Sequence, residues 1–232
     1  MEEILRSGFA ELGIPASEEA IAALRRYYEL LHERNQVMNL TAIEGEADTA
    51  RLHFLDCGTL LRYMDLSGQK VLDVGSGAGF PGLVLKLLCP DMELTMLDSQ
   101  LKRVDFQRDV TAALGLDKVT SLHGRVEEMT ELRGQFDVVI SRAVAKLAVL
   151  NELCMPLVKV GGHFIAMKGP DPTAEMQESK RASYLLGGRH VRFERYTIPD
   201  TDVTHTLIFV LKEQPSPAQY PRRYSSIKKQ PL

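Results

Sequence analysis

A largely parallel α/β sheet with a helical extension at its N-terminus is the fold this sequence predicts, on three observations. Short apolar runs alternate with helical stretches from residue 67 onward. A glycine-rich turn follows the first of those runs, and the N-terminal third carries its apolar residues at helical rather than strand spacing. Alternating strands and helices require right-handed crossovers, which place helices on both faces of one sheet. A chain of 232 residues, 44% hydrophobic and 25% charged, has the size and composition to bury one such core.

Taken in order, Ile21, Leu24, Tyr28 and Leu31 form one face of a helix predicted from Ser17 to Leu40, with Glu18, Arg25, Arg26 and Glu33 on the other. A second helical stretch is expected from about Glu46 to Tyr63. Strands are expected at Val71–Val74, Leu94–Leu97, around Val119–Leu122, and at Phe136–Ile140, Phe164–Met167 and Leu207–Leu211. Between them, Phe80–Leu88, Leu101–Leu114 and roughly Thr173–Leu186 read as helices. Ser67-Gly68 marks the boundary before the first strand. The expected organisation is a helical segment (1–66), a sheet domain (67–212) and a basic tail (213–232), whose Pro215, Pro217 and Pro221 predict exposed chain.

Met1 leads into Glu2 and Glu3 with no basic and apolar leader, and no apolar run approaches a membrane span, so neither a signal peptide nor a membrane protein is expected. Cys57, Cys89 and Cys154 are odd in number and far apart. They predict no disulfide framework and no metal site, and a reducing cytoplasm as the location. The net charge of −3 is uneven: residues 219–232 hold Arg222, Arg223, Lys228 and Lys229 and no acid. A basic tail on an acidic body fits a polyanionic partner, and equally a solvated end.

The strongest local signal is Val71-Leu72-Asp73-Val74-Gly75-Ser76-Gly77-Ala78-Gly79-Phe80-Pro81-Gly82. A strand ends, glycines at 75, 77 and 79 let backbone amides approach a ligand, and a helix begins with Pro81 near its first turn. Gly77-x-Gly79-x-x-Gly82 matches the dinucleotide fingerprint, which keeps a nucleotide-dependent, NAD-type oxidoreductase open. Asp73 argues the other way. Two residues before the first glycine, its charge would repel a pyrophosphate and attract the ammonium and sulfonium of S-adenosylmethionine. S-adenosylmethionine is therefore the expected cofactor, and the fold a Rossmann-like class I methyltransferase sheet. Asp98 ends the second strand, where an acid accepts from ribose hydroxyls. Gly124-Arg125-Val126-Glu127 follows the third, where a backbone amide or the Glu127 carboxylate can meet adenine.

After the fourth strand comes Ser141-Arg142-Ala143-Val144, without the Asp/Asn-Pro-Pro-aromatic tetrad usual for methylation of exocyclic amines. Cys89 closes a helix and Cys154 reads as core, so no nucleophile for pyrimidine C5 is evident. An acceptor with a free lone pair, such as purine N7, needs only positioning and in-line attack. Arg142 is the candidate positioning residue, since its guanidinium forks onto guanine O6 or a phosphate. A surface ion pair is the competing assignment.

Together these residues resemble the ribosomal RNA small subunit methyltransferase G family (glucose-inhibited division protein B) over nearly the whole chain. The shared pieces are Asn39-Leu40-Thr41-Ala42, His53-Phe54-Leu55-Asp56, Leu72 to Gly82, Leu97-Asp98-Ser99 with Lys102-Arg103, Gly124 to Glu128, Ser141-Arg142-Ala143, Lys168-Gly169 and Tyr220-Pro221-Arg222. The resemblance implies methyl transfer to N7 of a guanosine in 16S ribosomal RNA; the RNA or the small subunit is the expected partner, and a monomer the expected state. It implies a cofactor site of Gly75, Phe80, Val126, Glu127 and Arg142 with Asp98 on the ribose; Asp73, Gly77, Gly79 and Ser99, from the turn and the second strand's end, complete the expected cofactor residues. Asn39, His53, Lys168, Arg222 and Arg223 are the candidate substrate residues. The chain departs from the family's Arg-His-x-x-Asp-Ser at Leu52 and Cys57, so an RNA contact by that arginine is not carried over. A methyltransferase acting on another RNA or a small molecule, and a catalytically silent RNA-binding protein, stay open.

Overall fold

The computed structural model describes residues 1–142 and 145–232. Its N-terminal extension begins with α1 (Glu2–Leu12), whose Leu5, Phe9 and Leu12 are buried at helical spacing; sequence periodicity did not single this helix out. Next, α2 (Glu18–Met38) starts where the Ser17 side chain accepts from the Ala20 N–H, with Glu18 and Glu19 in its first turn. It ends at Asn39, left-handed at φ 48°. The buried aromatic of α2 is Tyr27 rather than Tyr28.

The stretch expected as one helix from Glu46 is broken. α3 (Glu46–Thr49) passes into a π-helical turn (Ala50–Leu55), then α4 (Asp56–Gly58) and a 3-10 turn (Thr59–Arg62). A π turn inserts an extra residue into the helical ladder and redirects the side chains that follow, a device common at functional sites. His53 lies in that turn and Asp56 directly after it.

Seven strands form one sheet: β1 (Lys70–Val74), β2 (Glu93–Asp98), β3 (Val119–His123), β4 (Phe136–Arg142), β5 (Val158–Lys168), β6 (Gly188–Thr197) and β7 (Thr204–Lys212), in the order β3-β2-β1-β4-β5-β7-β6. The first five are parallel, and β7 pairs antiparallel with both β5 and β6. Covered on both faces, β1 reads as a buried run, Val71 through Val74. β6 was not anticipated. Gly188-Arg-His-Val-Arg-Phe-Glu-Arg-Tyr-Thr197 is mostly polar because it forms the sheet edge, where charges also block pairing with another chain.

The helices α5 (Gly82–Leu88), α6 (Leu101–Ala113), α7 (Leu147–Cys154) and α8 (Thr173–Leu185) cover the faces. From β1 the chain steps outward to β2 and β3, then returns to β4 on the other side of β1. That reversal opens a crevice at the carboxyl ends of the strands, the usual ligand position in such sheets.

Neither end of the chain stands apart from this core. Leu5, Phe9, Leu24, Tyr27 and Phe54 bury in one cluster with Val71, Leu83, Leu94 and Ile140 of the sheet domain. The tail was expected to be exposed, and it is docked instead. Its helix α9 (Tyr224–Lys229) buries Ile227 completely, and Arg222 binds the fully buried Glu152 of α7. The prolines shape a segment whose spaced apolar residues Tyr220, Tyr224, Ile227 and Leu232 hold it down.

Candidate active site

A cavity of about 470 Å³ lies at the carboxyl ends of β1, β2 and β4. The glycine turn forms its floor. The Gly75 N–H donates to the Leu97 carbonyl at 2.8 Å and the Gly77 N–H to Asp98 Oδ2 at 2.9 Å, so the turn is tied to the neighbouring strand. Gly79 sits at φ 102°, and a Cβ there would come within 2.4 Å of Leu83; only glycine meets both demands. Helix α2 braces the turn from beneath: the fully buried Tyr27 donates its hydroxyl to the Ala78 carbonyl and stacks on Phe80, with ring centroids 5.4 Å apart.

Asp73 corrects an expectation. It has no exposed surface and lines no part of the cavity, so direct contact with a ligand's cationic end is not its arrangement here. Oδ2 accepts the Gly82 N–H at 2.9 Å, while Oδ1 has no partner among the described residues. Burial pushes its pKa up to about 7, against the opposing pull of the Gly82 bond. Gly79 is corrected likewise: it packs on Leu83 and Tyr27 rather than facing the cavity.

On the opposite wall, Asp98 accepts from Gln100 N–H through Oδ1 and from Gly77 N–H through Oδ2, both at 2.9 Å, which fixes its carboxylate toward the cavity. Ser99, Val126 and Glu127 continue that wall, and Phe80 and Leu40 supply apolar surface.

At the far end stands a cluster that sequence reasoning found only in part. Arg142, at the end of β4, donates from Nη1 to Asp56 Oδ2 at 3.0 Å and to the Leu52 carbonyl at 3.3 Å. From Nη2 it donates to His53 Nδ1 at 2.7 Å. Because a guanidinium only donates, His53 Nδ1 is the acceptor, so its proton is on Nε2 and is donated to Thr41 Oγ1 at 2.9 Å. Burial, and then the charge of Arg142, push the His53 pKa down to about 3, so the ring is neutral at neutral pH. It stacks on Phe80 at 4.2 Å and 14°.

Asp56, 1% exposed, also accepts from Tyr196 Oη at 2.7 Å and His205 Nδ1 at 2.8 Å. Burial alone would raise its pKa; the His205 bond and the Arg142 charge outweigh it and hold the carboxyl below its ordinary value. The expected free fork of Arg142 toward guanine is thus corrected. Its terminal nitrogens are engaged within the protein, and it orients His53 beside Phe80. Of Ser141-Arg142-Ala143-Val144, the last two residues lie outside the described residues.

The remaining candidates separate. Asn39 is the C-cap of α2 and lines neither cavity, and Lys168 lines a neighbouring cavity. Arg222 is a correction: its guanidinium grips Glu152 at 2.6 and 2.7 Å instead of standing free for phosphate. Arg223 is exposed and lines neither cavity. Thr41, Arg103, Arg125 and Tyr224 line the main cavity without having been singled out for it. Tyr224 comes from the docked tail, which no local motif announces.

S-adenosylmethionine fits these walls. Asp98 and Glu127 accept from hydroxyl and amine donors, Phe80 and Val126 flank a flat ring, and the acidic Asp73 lies under the turn. Solved structures share the fold: the YcgJ protein of Bacillus subtilis (TM-score 0.56, 15% identity, 70% of this chain and 100% of that one) and a SAM-dependent methyltransferase of Aquifex aeolicus (TM-score 0.54, 19% identity, 72% and 94%). Sheet, turn and cavity define the Rossmann-like fold that those structures share.

The family is then fixed by sequence. The family model for rRNA small subunit methyltransferase G (GidB) matches residues 20–204. Proteins named ribosomal RNA small subunit methyltransferase G are 42% identical in Alkaliphilus metalliredigens (99% of this chain, 98% of that one) and 44% in Deinococcus radiodurans (99% and 92%). The chain belongs to the rRNA small subunit methyltransferase G family. Membership in a methyltransferase family sets the oxidoreductase alternative aside. Among the described residues no helix is long and apolar enough to cross a membrane.

Proposed function

We propose that this chain transfers a methyl group from S-adenosylmethionine to N7 of a guanosine in 16S ribosomal RNA, acting as a monomer in the cytoplasm. The observation that carries the N7 assignment is the Arg142–His53–Phe80 wall beside the donor cavity, which is built for positioning. When bound, S-adenosylmethionine supplies a methyl carbon to the N7 lone pair while the C–S bonding electrons stay on sulfur. N7 loses no proton in that step, so the protein needs no general base. His53 suits this chemistry: neutral, locked by Arg142 and Thr41, it presents a fixed ring face with Phe80.

Asp98 would hold the ribose hydroxyls of bound S-adenosylmethionine, Val126 and Glu127 its adenine, and the Gly75–Gly77 backbone its amino-acid end. Arg142 is a positioning residue that acts through His53, and Asp56 keeps Arg142 in place. Calorimetry with S-adenosylmethionine and with NADH tests the cofactor half of the proposal: binding of the first and none of the second is expected, and the reverse overturns it. Transfer of labelled methyl from the donor to purified small subunits lacking the modification tests the rest.

A further inference from the structure

A second cavity, of about 490 Å³, adjoins the first, and His53 and Arg142 line both. Its far wall carries an ordered charge pair. Lys168, at the end of β5, places Nζ 2.8 Å from Glu175 Oε2 and donates to the Ala145 carbonyl at 2.9 Å. Glu175, in the first turn of α8, also accepts the Leu147 N–H on Oε2 at 2.7 Å. Both contacts fall on Oε2, and among the described residues Oε1 has no partner. Leu52 and Met167 give this cavity apolar surface suited to the face of a base.

We infer that this second cavity receives the target guanine, with Glu175 as the residue that reads its Watson–Crick edge. The inference rests on the N7 assignment above. Guanine carries N7 and O6 on one edge and the N1–H and 2-amino donors on the opposite one. With N7 turned to the shared wall, the donor edge faces Glu175, whose carboxylate only accepts. Adenine presents a lone pair at N1 and is repelled there. N7 gains a methyl carbon and the ring gains a positive charge, which makes N1–H a stronger donor. The bond to Glu175 therefore tightens in the transition state and acts on kcat more than on KM.

The test compares small subunits whose 16S rRNA carries guanosine or inosine at the target position; inosine lacks only the 2-amino group. For the wild type, inosine is expected to slow single-turnover methylation about tenfold. Glu175→Gln is expected to slow methylation of guanosine by at least that factor and to lose most of the inosine penalty. Glu175→Asp, which keeps the charge and shortens its reach, falls between. S-adenosylmethionine affinity by calorimetry stays at the wild-type value in both variants, which separates a base-reading role from a collapsed site. Equal inosine penalties in wild type and Glu175→Gln, or unchanged kcat in the variant, overturn this inference alone. Methyl transfer by the wild type to an atom other than N7 overturns the N7 assignment, and the inference with it.

Discussion

Replacing Asp56 with asparagine keeps the side-chain volume and removes the charge that faces Arg142. Asp56 is 1% exposed, and its carboxylate serves three donors: Arg142, Tyr196 and His205. Breaking one side of a buried ion pair costs about 3–5 kcal/mol, because the partner charge is left without compensation. The Arg142 side chain keeps 16% exposure, so water softens the loss toward about 3 kcal/mol. In a chain of this length each kcal/mol moves Tm by about 2–4 °C, so Asp56→Asn should melt about 6–12 °C lower. The pH dependence carries a second signature. The folded pKa of Asp56 is depressed, so its contribution is complete above the unfolded value near ~3.9 and fades as pH falls through the folded one. The Tm gap should thus stay constant from pH 7 to 5 and narrow only below about pH 4. Without its anchor, Arg142 should also hold His53 loosely, and single-turnover methylation should fall by at least about tenfold. Thermal unfolding at stepped pH and rapid-quench kinetics give both numbers. A Tm within 2 °C of wild type together with an unchanged rate would refute the reasoning.

Arg142→Ala should cut turnover by about 10²-fold and, because it strands the buried Asp56 carboxylate, also melt below wild type while still folding. Arg142→Lys should restore little of the turnover, because an ammonium cannot bridge Asp56, Leu52 and His53 at once. The chemical step should show no ionisation traceable to His53 between about pH 6 and 9, since His53 titrates far below; an ionisation in that window that persists in Asp73→Asn single-turnover data would mean that a base exists. Asp73, buried beneath the turn, should influence the donor through space rather than by contact. Calorimetry should find Asp73→Asn about 1–2 kcal/mol weaker than wild type for S-adenosylmethionine at pH 8 and nearly equal at pH 6, and equal affinities at both would remove the charge from the explanation. Between about pH 4 and 7 folding takes up a proton at Asp73, so denaturant titrations should find wild-type stability falling relative to this variant as pH rises. Arg222→Ala should lower stability by about 3 kcal/mol by stranding the buried Glu152, and leave the salt dependence of RNA binding unchanged. Replacing the exposed Arg223, Lys228 and Lys229 should instead flatten that dependence by about 0.7–0.9 log units per lost phosphate contact.

The parallel strands were legible because burial on both faces leaves apolar runs such as Val71–Val74 and Leu94–Leu97. The glycine turn was legible for a related reason: three closely spaced positive-φ positions, which glycine adopts most readily, leave a trace in the sequence. Asp98, Val126 and Glu127 could be placed because they follow strand ends in order. What escaped was settled by distant packing. Tyr27 and Tyr28 are indistinguishable by periodicity, and only the Ala78 carbonyl waiting beneath the turn selects Tyr27. Tyr196 and His205 reach Asp56 from 140 and 149 residues away, across a hairpin whose first strand is too polar to stand out. The charge of Asp73 was read correctly as acidic and wrongly as accessible, because a strand-end position does not reveal which face the side chain takes.

Mapping the methylated nucleotides of 16S ribosomal RNA, from cells with and without the gene, tests the central claim most directly. Mass spectrometry of nuclease fragments should find a 7-methylguanosine that is lost on deletion and restored by the wild-type chain but not by Arg142→Ala. An unchanged 16S methylation pattern, or a lost methyl group on an atom other than guanine N7, would contradict it.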